Sequence, residues 1–288
     1  MPKSPQRARS SRLVRAAAAT VVVLVVVAVT YLLTAKHVPL ILEPTQCTAT
    51  AGKQELALTV GQAGIAATIA GVATRRHMPV RAVTIAYAAA LQESKLANLN
   101  YGTADSLGVF QQRPSQGWGT PQEIENPVYA STRFFAALAA VPGYQRMPVY
   151  KAAQAVQRSA DGYAYGQYAT VGAQLADAFT GTTPHALWCS YSQPPGKPRL
   201  AAASQALTSA FGYLRIRRAG DPARTVQVRR AGVGWAVAAW LVSHAGSYGI
   251  ADIRYRGYEW LRGHGSGTWM RVPGRAGTPA GPYAVVFG

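Results

Sequence analysis

The chain has 288 residues, 49% of them hydrophobic and only 14% charged, which excludes a disordered chain and allows about two domains with real cores. Two cysteines exclude a disulfide-dense mini-domain and a cysteine-rich zinc module. The net charge of +18 is uneven, with +6 in residues 1–36, +2 in residues 37–181 and +10 in residues 182–288, so polyanionic neighbours such as lipid headgroups or anionic wall polymers are expected, nucleic acid being the generic alternative.

Lys3, Arg7, Arg9, Arg12 and Arg15 precede an uninterrupted apolar run at residues 16–35. As a helix that run is about 30 Å long, the thickness of a hydrocarbon core. It is the only such run, so a polytopic membrane protein is excluded. The run reads as a single transmembrane helix, and the positive-inside rule puts residues 1–15 in the cytoplasm and the bulk of the chain outside. A cleaved signal peptide has the same charge order and is the competing reading, although its apolar core is usually shorter. Either way the working part lies outside the cytoplasm, which argues against nucleic acid as a partner. Residues 36–53 then read as a stalk. Cys47 and Cys189 bracket the near-neutral middle of the chain, and in an oxidising compartment they can pair; two unrelated thiols are the alternative.

Residues 54–181 read as an all-α domain. Helices are predicted over 54–77, 80–96, 127–141, 149–160 and 163–179, punctuated by Met78-Pro79, Pro142-Gly143 and a loop-rich passage at 101–126. Pro127 suits the first turn of its helix. Glu93 lies near the end of an apolar helix, on the face of Ala86 and Ala90, a setting that favours the neutral carboxylic acid a proton donor needs.

Glu93-Ser94, a polar loop, and then Ser106-Leu107-Gly108-Val109-Phe110-Gln111-Gln112 resemble the lytic transglycosylase and goose-type lysozyme families. Those families have a helix ending in Glu-Ser, a loop, and then Ser and Gly-Leu-Met-Gln. Asn126-Pro127 extends the resemblance, which covers roughly residues 82–179, a third of the chain. It implies a lysozyme-like fold with Glu93 as the catalytic acid. It also implies a glycan groove that holds the sugar through Ser94, Ser106, Gly108, Gln111 and Gln112. The families' later Ala-Tyr-Asn-Ala-Gly motif falls near 155–159, where the chain reads Ala-Val-Gln-Arg-Ser, with Gln157 as the counterpart of the Asn. Trp118, Tyr163, Tyr165 and Tyr168 offer aromatic faces, of which Tyr163 is taken into the site; core packing is the plainer role for such tyrosines. The only acid close to the Gly-x-x-Gln segment is Asp105, so no second, water-activating carboxylate is evident. That favours transglycosylation at the bond between N-acetylmuramic acid and N-acetylglucosamine over hydrolysis. A groove without activity, serving as a peptidoglycan-binding scaffold, is the other alternative. The five histidines are scattered and no Walker loop or Gly-x-Ser-x-Gly elbow occurs, so no metal and no cofactor is expected.

Four prolines make residues 182–199 a stiff linker. Residues 200–288 read as a small basic α+β domain: a helix at 200–211, strands at 224–230 and 250–255, an amphipathic helix at 235–244 and a closing hairpin of 258–260 with 268–272. The run from Gly234 to Val242 with Ile253-Arg254-Tyr255 and Trp260 is similar to a small domain of actinobacterial wall-associated proteins, which implies docking to the wall or to proteins of a secretion or division machine. The fold class expected is therefore mainly α: a transmembrane helix, an all-α lysozyme-like domain and a small α+β domain.

Overall fold

The computed structural model describes residues 21, 23–27, 29–30, 45–52, 54–159, 162–220, 222–263, 268–272 and 283–288. The chain divides into two units, Met1–Leu42 and Glu43–Gly288. In the first, the described residues are helical and exposed. The transmembrane helix expected over residues 16–35 is not upheld: most of that run lies outside the described residues, and among the described residues no helix is long and apolar enough to cross a membrane.

The all-α expectation also needs correction. Strands β1 (Gln46–Ala51), β2 (Gln54–Leu58) and β3 (Leu187–Ser190) form an antiparallel sheet in the order β2-β1-β3. They were hard to see because the inward residues, such as Cys47, Ala49 and Leu58, are few and mostly small. Two of the three strands also fall in segments that look like a stalk and a linker. Helix α1 (Val60–Arg75) consequently starts later than the sequence suggested. Thr59 caps it in a reciprocal box with Gln62, its hydroxyl accepting from the Gln62 amide at 3.1 Å while Gln62 Oε1 accepts from the Thr59 amide at 2.9 Å.

Helix α2 (Val80–Ser94) is buried on nearly every side from Ala82 to Leu91 and packs against α1, α5 (Val149–Gln157), α6 (Ala169–Phe179) and a 3-10 helix (Tyr163–Tyr168). The short α3 (Pro121–Ile124) and then α4 (Pro127–Ala139) close the other side. Asn126 caps α4, its Oδ1 accepting from the Val128 amide at 3.0 Å, with Pro127 at the first helical position where its missing N–H costs nothing.

Beyond α7 (Leu200–Phe211), six strands form an antiparallel sheet: β4 (Arg215–Arg218), β5 (Arg224–Gln227), β6 (Asp252–Tyr255), β7 (Tyr258–Leu261), β8 (Met270–Arg271) and β9 (Ala284–Phe287), in the order β4-β5-β9-β6-β7-β8. Helix α8 (Ala231–Tyr248) is not amphipathic; Gly234 to Ser243 are all buried. The reason is its position, against α1, α6 and α7 as well as β3, β6 and β9. It joins the helical part and the larger sheet through one continuous core.

Cys47 and Cys189 are directly paired across β1 and β3 and are joined by a disulfide. The bond closes a loop with a sequence separation of 142, worth about 4–5 kcal/mol in the chain-entropy account.

His244 sits in α8 with its ring stacked on Trp240 at 3.9 Å and its Nδ1 2.8 Å from the Trp240 carbonyl oxygen, to which it donates. Gly64 of α1 faces its other ring nitrogen, leaving space only for a hydrogen side chain or a close-packed methyl. Desolvation brings the His244 pKa down to about 4, although the hydrogen bond to Trp240 works the other way. A neutral histidine in the fold that is free to protonate near pH 6.5 when unfolded gives stability that is complete above that pH and is lost as the pH falls toward 4. Chemical denaturation at pH 7.5 and pH 4.5 is expected to show a loss that is about 2 kcal/mol larger in the native protein than in His244→Gln.

Candidate functional site

The site is built around the end of α2. Glu93 is half-buried in its last turn, and the chain then leaves the helix through two non-glycine residues in the left-handed region, Lys95 (φ 56°) and Leu96 (φ 60°). The amides of Lys95 and Leu96 donate back to the carbonyls of Leu91 and Ala90 at 3.2 and 3.1 Å, so the helix end is satisfied without glycine. Left-handed backbone at such residues costs of order 1 kcal/mol each and persists only where the surroundings hold it. Ser94 supplies one hold: its Oγ donates to the Val109 carbonyl at 2.8 Å and accepts from the Ala97 amide at 3.2 Å. Lys95 supplies another, with its ammonium over the Tyr168 ring at 4.6 Å and hydrogen-bonded to the Tyr168 hydroxyl.

Two side chains from later in the chain converge on one carboxyl oxygen. The Tyr165 hydroxyl donates to Glu93 Oε1 at 2.6 Å, and Gln157 Nε2 donates to the same oxygen at 3.1 Å. Gln157 Nε2 also reaches the Phe110 carbonyl at 2.7 Å, which ties the Gly108–Gln112 segment to the carboxyl group. Gln157 is presented by the last residue of α5, before Arg158 turns left-handed. Tyr165 comes from the 3-10 helix, where residues three apart eclipse. Tyr165 and Tyr168 therefore share one side, meeting Glu93 and Lys95 respectively.

The other residues expected in the site fall into two groups. Gly108 and Gln112 form the base of the loop: Leu107 and Gln112 pair as an isolated antiparallel bridge, and Gln112 is buried with its Nε2 on the Ala130 carbonyl at 3.3 Å. Phe110 anchors the loop by stacking on Phe134 at 4.4 Å. Gln111 braces the loop from above, its Nε2 3.2 Å from the carbonyls of both Tyr101 and Gly108. Ser106 is buried and Ser94 is committed to backbone, so both support the loop. Tyr163 is not brought to Glu93; it is 77% exposed and stacks on Tyr150 at 5.0 Å. Tyr165, only one of several aromatic candidates in the sequence, takes the place beside the carboxyl group. Nothing in the sequence separated it from Tyr163, because docking of the 3-10 helix decides which tyrosine points inward.

Asp105 is engaged elsewhere. Arg113 Nε donates to its Oδ1 at 2.6 Å and the Ser115 amide to its Oδ2 at 2.7 Å, and these bonds, the arginine first, hold its pKa well below the usual carboxylate range. Among the described residues no group of three or more His, Cys, Asp or Glu side chains is placed to hold a metal ion. Clefts of about 700 and 640 Å³ open elsewhere, and Glu93 lines neither. No protein-family profile matches the chain, and no curated protein matches it.

Gly108 has φ +73°, and a Cβ there would lie 2.6 Å from the Ile124 carbonyl oxygen of α3. Both the backbone conformation and the close approach require glycine. Gly108→Ala is expected to cost about 2–4 kcal/mol by denaturant unfolding, since strain and displacement of α3 add.

Proposed function

We propose that the protein is a peptidoglycan-cleaving lytic transglycosylase that works outside the cytoplasm, with Glu93 as its single acid and base. The observation that carries this reading is the convergence of Tyr165 and Gln157 on Glu93 Oε1, because two donors on one oxygen leave Oε2 for the proton and for substrate. A half-buried carboxyl group fixed in this way, at the edge of a loop braced by Gly108, Gln111 and Gln112, has the rigidity that proton transfer requires. The Cys47–Cys189 disulfide supports an oxidising compartment.

The proposed reaction uses Glu93 twice. Glu93 gives the Oε2 proton to the glycosidic oxygen between N-acetylmuramic acid and N-acetylglucosamine as the C1–O bond breaks. The resulting carboxylate takes the proton of the muramoyl C6 hydroxyl while that oxygen bonds to C1. The products are a 1,6-anhydro end and a free N-acetylglucosamine 4-hydroxyl, no water is consumed, and Glu93 is again protonated. Inverting hydrolysis would need a second carboxylate about 6.5–9.5 Å away to activate water. Asp105, the acid nearest in sequence to the loop, is bound by Arg113 and Ser115.

The test is to incubate the oxidised full chain with purified peptidoglycan, beside Glu93→Gln, and to read the released fragments by mass spectrometry. Anhydro-muropeptides are expected from the native protein, with a loss of at least about 1,000-fold in the variant. Reducing ends would instead identify a hydrolase. Binding of the polymer without release by either protein would identify a non-catalytic scaffold.

A further inference from the structure

A second site lies away from Glu93 and does not depend on its chemistry. The cleft of about 700 Å³ is formed where the end of α1, the turn after α7, strand β4 and the turn before α8 meet. Arg75, Arg215, Arg217, Arg229, Arg230 and His77 line it, and no Asp or Glu does among the described residues. Arg75 donates to the Ser209 carbonyl and the Thr132 hydroxyl, and none of these arginines pairs with a carboxylate among the described residues. By contrast Asp252 and Glu259, two of the three acids in residues 182–288, are both taken by Arg254. Among the described residues the excess charge of this part of the chain thus meets no carboxylate where it faces the cleft.

A charged edge strand is a common protection against strand-to-strand aggregation, and β4 is an edge strand. That accounts for Arg215 and Arg217. It does not account for Arg75, Arg229 and Arg230, which approach from two other elements. The adjoining cleft of about 640 Å³ shares Thr74, His77, Arg230 and Val233 with the first, so the two form an extended trough rather than a pocket for a compact ligand.

We infer that this trough binds a polyol phosphate chain, an extracellular polymer of repeated phosphodiesters. Arginine forks matched to tetrahedral phosphate oxygens can grip from several directions, whereas a planar carboxylate offers mainly one edge. The length of the trough suits a chain carrying several charges. Nucleic acid is disfavoured on two grounds: the disulfide suits an oxidising compartment, and among the described lining residues the aromatic rings are Phe211, which is buried, Tyr213, which is 90% exposed, and His77, too few exposed rings for a stacking platform. Bound here, the polymer would hold the protein in the wall matrix while leaving Glu93 open.

The test is equilibrium binding of the full chain to poly(glycerol phosphate), to poly-glutamate and to a single-stranded oligonucleotide of matched charge, at low and physiological salt. The variants are Arg217→Gln with Arg229→Gln, and Arg271→Gln on the opposite edge of the sheet. The polyol phosphate is expected to bind most tightly and to weaken with salt. The double substitution should weaken it by about tenfold or more and flatten the salt dependence, with thermal midpoints unchanged and Arg271→Gln neutral. Tighter binding of poly-glutamate or the oligonucleotide, no binding of the polyol phosphate at low salt, or equal losses in Arg271→Gln would overturn the proposal.

Discussion

Strand β1 is the constraint on which the fold depends. It pairs with β2 on one edge and β3 on the other, and the Cys47–Cys189 bond fixes the β1–β3 register at one residue pair. Everything between those cysteines is a closed loop. Helices α1 to α6 therefore leave the sheet and must return to it, and the site lies inside that excursion. Reduction would remove the covalent closure but not the pairing or the core, in which both cysteines are buried. The bond acts chiefly on the unfolded chain, by limiting how far its ends can separate.

Inside the loop, several weak fixings coincide at the end of α2, where the proposed chemistry lies. The Ser94 bridge to Val109 ties the helix end to the loop at 106–112, Gln157 links α5 to the same loop through Phe110 and to Glu93, and Lys95 links the left-handed exit to Tyr168 of the 3-10 helix. Glu93 and its two donors are 64 and 72 residues apart in sequence, so the site exists only when α5 and the 3-10 helix have docked on α2. Most residues of the Ser94 to Gln112 stretch serve to brace the loop. Ser94, Gln111 and the Gln112 amide nitrogen meet backbone carbonyls, whereas Glu93 Oε2 has no hydrogen-bond partner among the described residues.

Much of the helical frame was legible because local signals and burial agreed. Asn126-Pro127 marks a helix start that the structure uses, and the apolar spacing from Val80 to Leu91 lies on a helix buried almost all round. The first sheet was not legible: its inward residues are small, its strands are short, and β3 lies 136 residues or more from its partner in a proline-rich stretch. Thr59 and Gln62 carried the true start of α1, but as a capping box they read only after β2 is recognised. In the site, Glu93 and the Gly108 turn were visible as a motif. Tyr165 was not distinguishable from Tyr163, because which tyrosine of a 3-10 helix points inward is decided by its docking rather than by its type.

The charge distribution matches this division of labour. The near-neutral middle of the chain holds the half-buried carboxyl group, and the arginines gather around a trough that Glu93 does not line. The proposed catalysis and the proposed retention in an anionic matrix thus fall on different surfaces of one core. The most direct measurement of the central claim is the rate of anhydro-muropeptide release by Tyr165→Phe set beside Tyr163→Phe. If Tyr165 positions Glu93 as described, Tyr165→Phe loses about 10- to 100-fold in kcat with little change in KM, and Tyr163→Phe keeps near-native kcat. Equal rates in the two variants, or a greater loss from Tyr163→Phe, would contradict it.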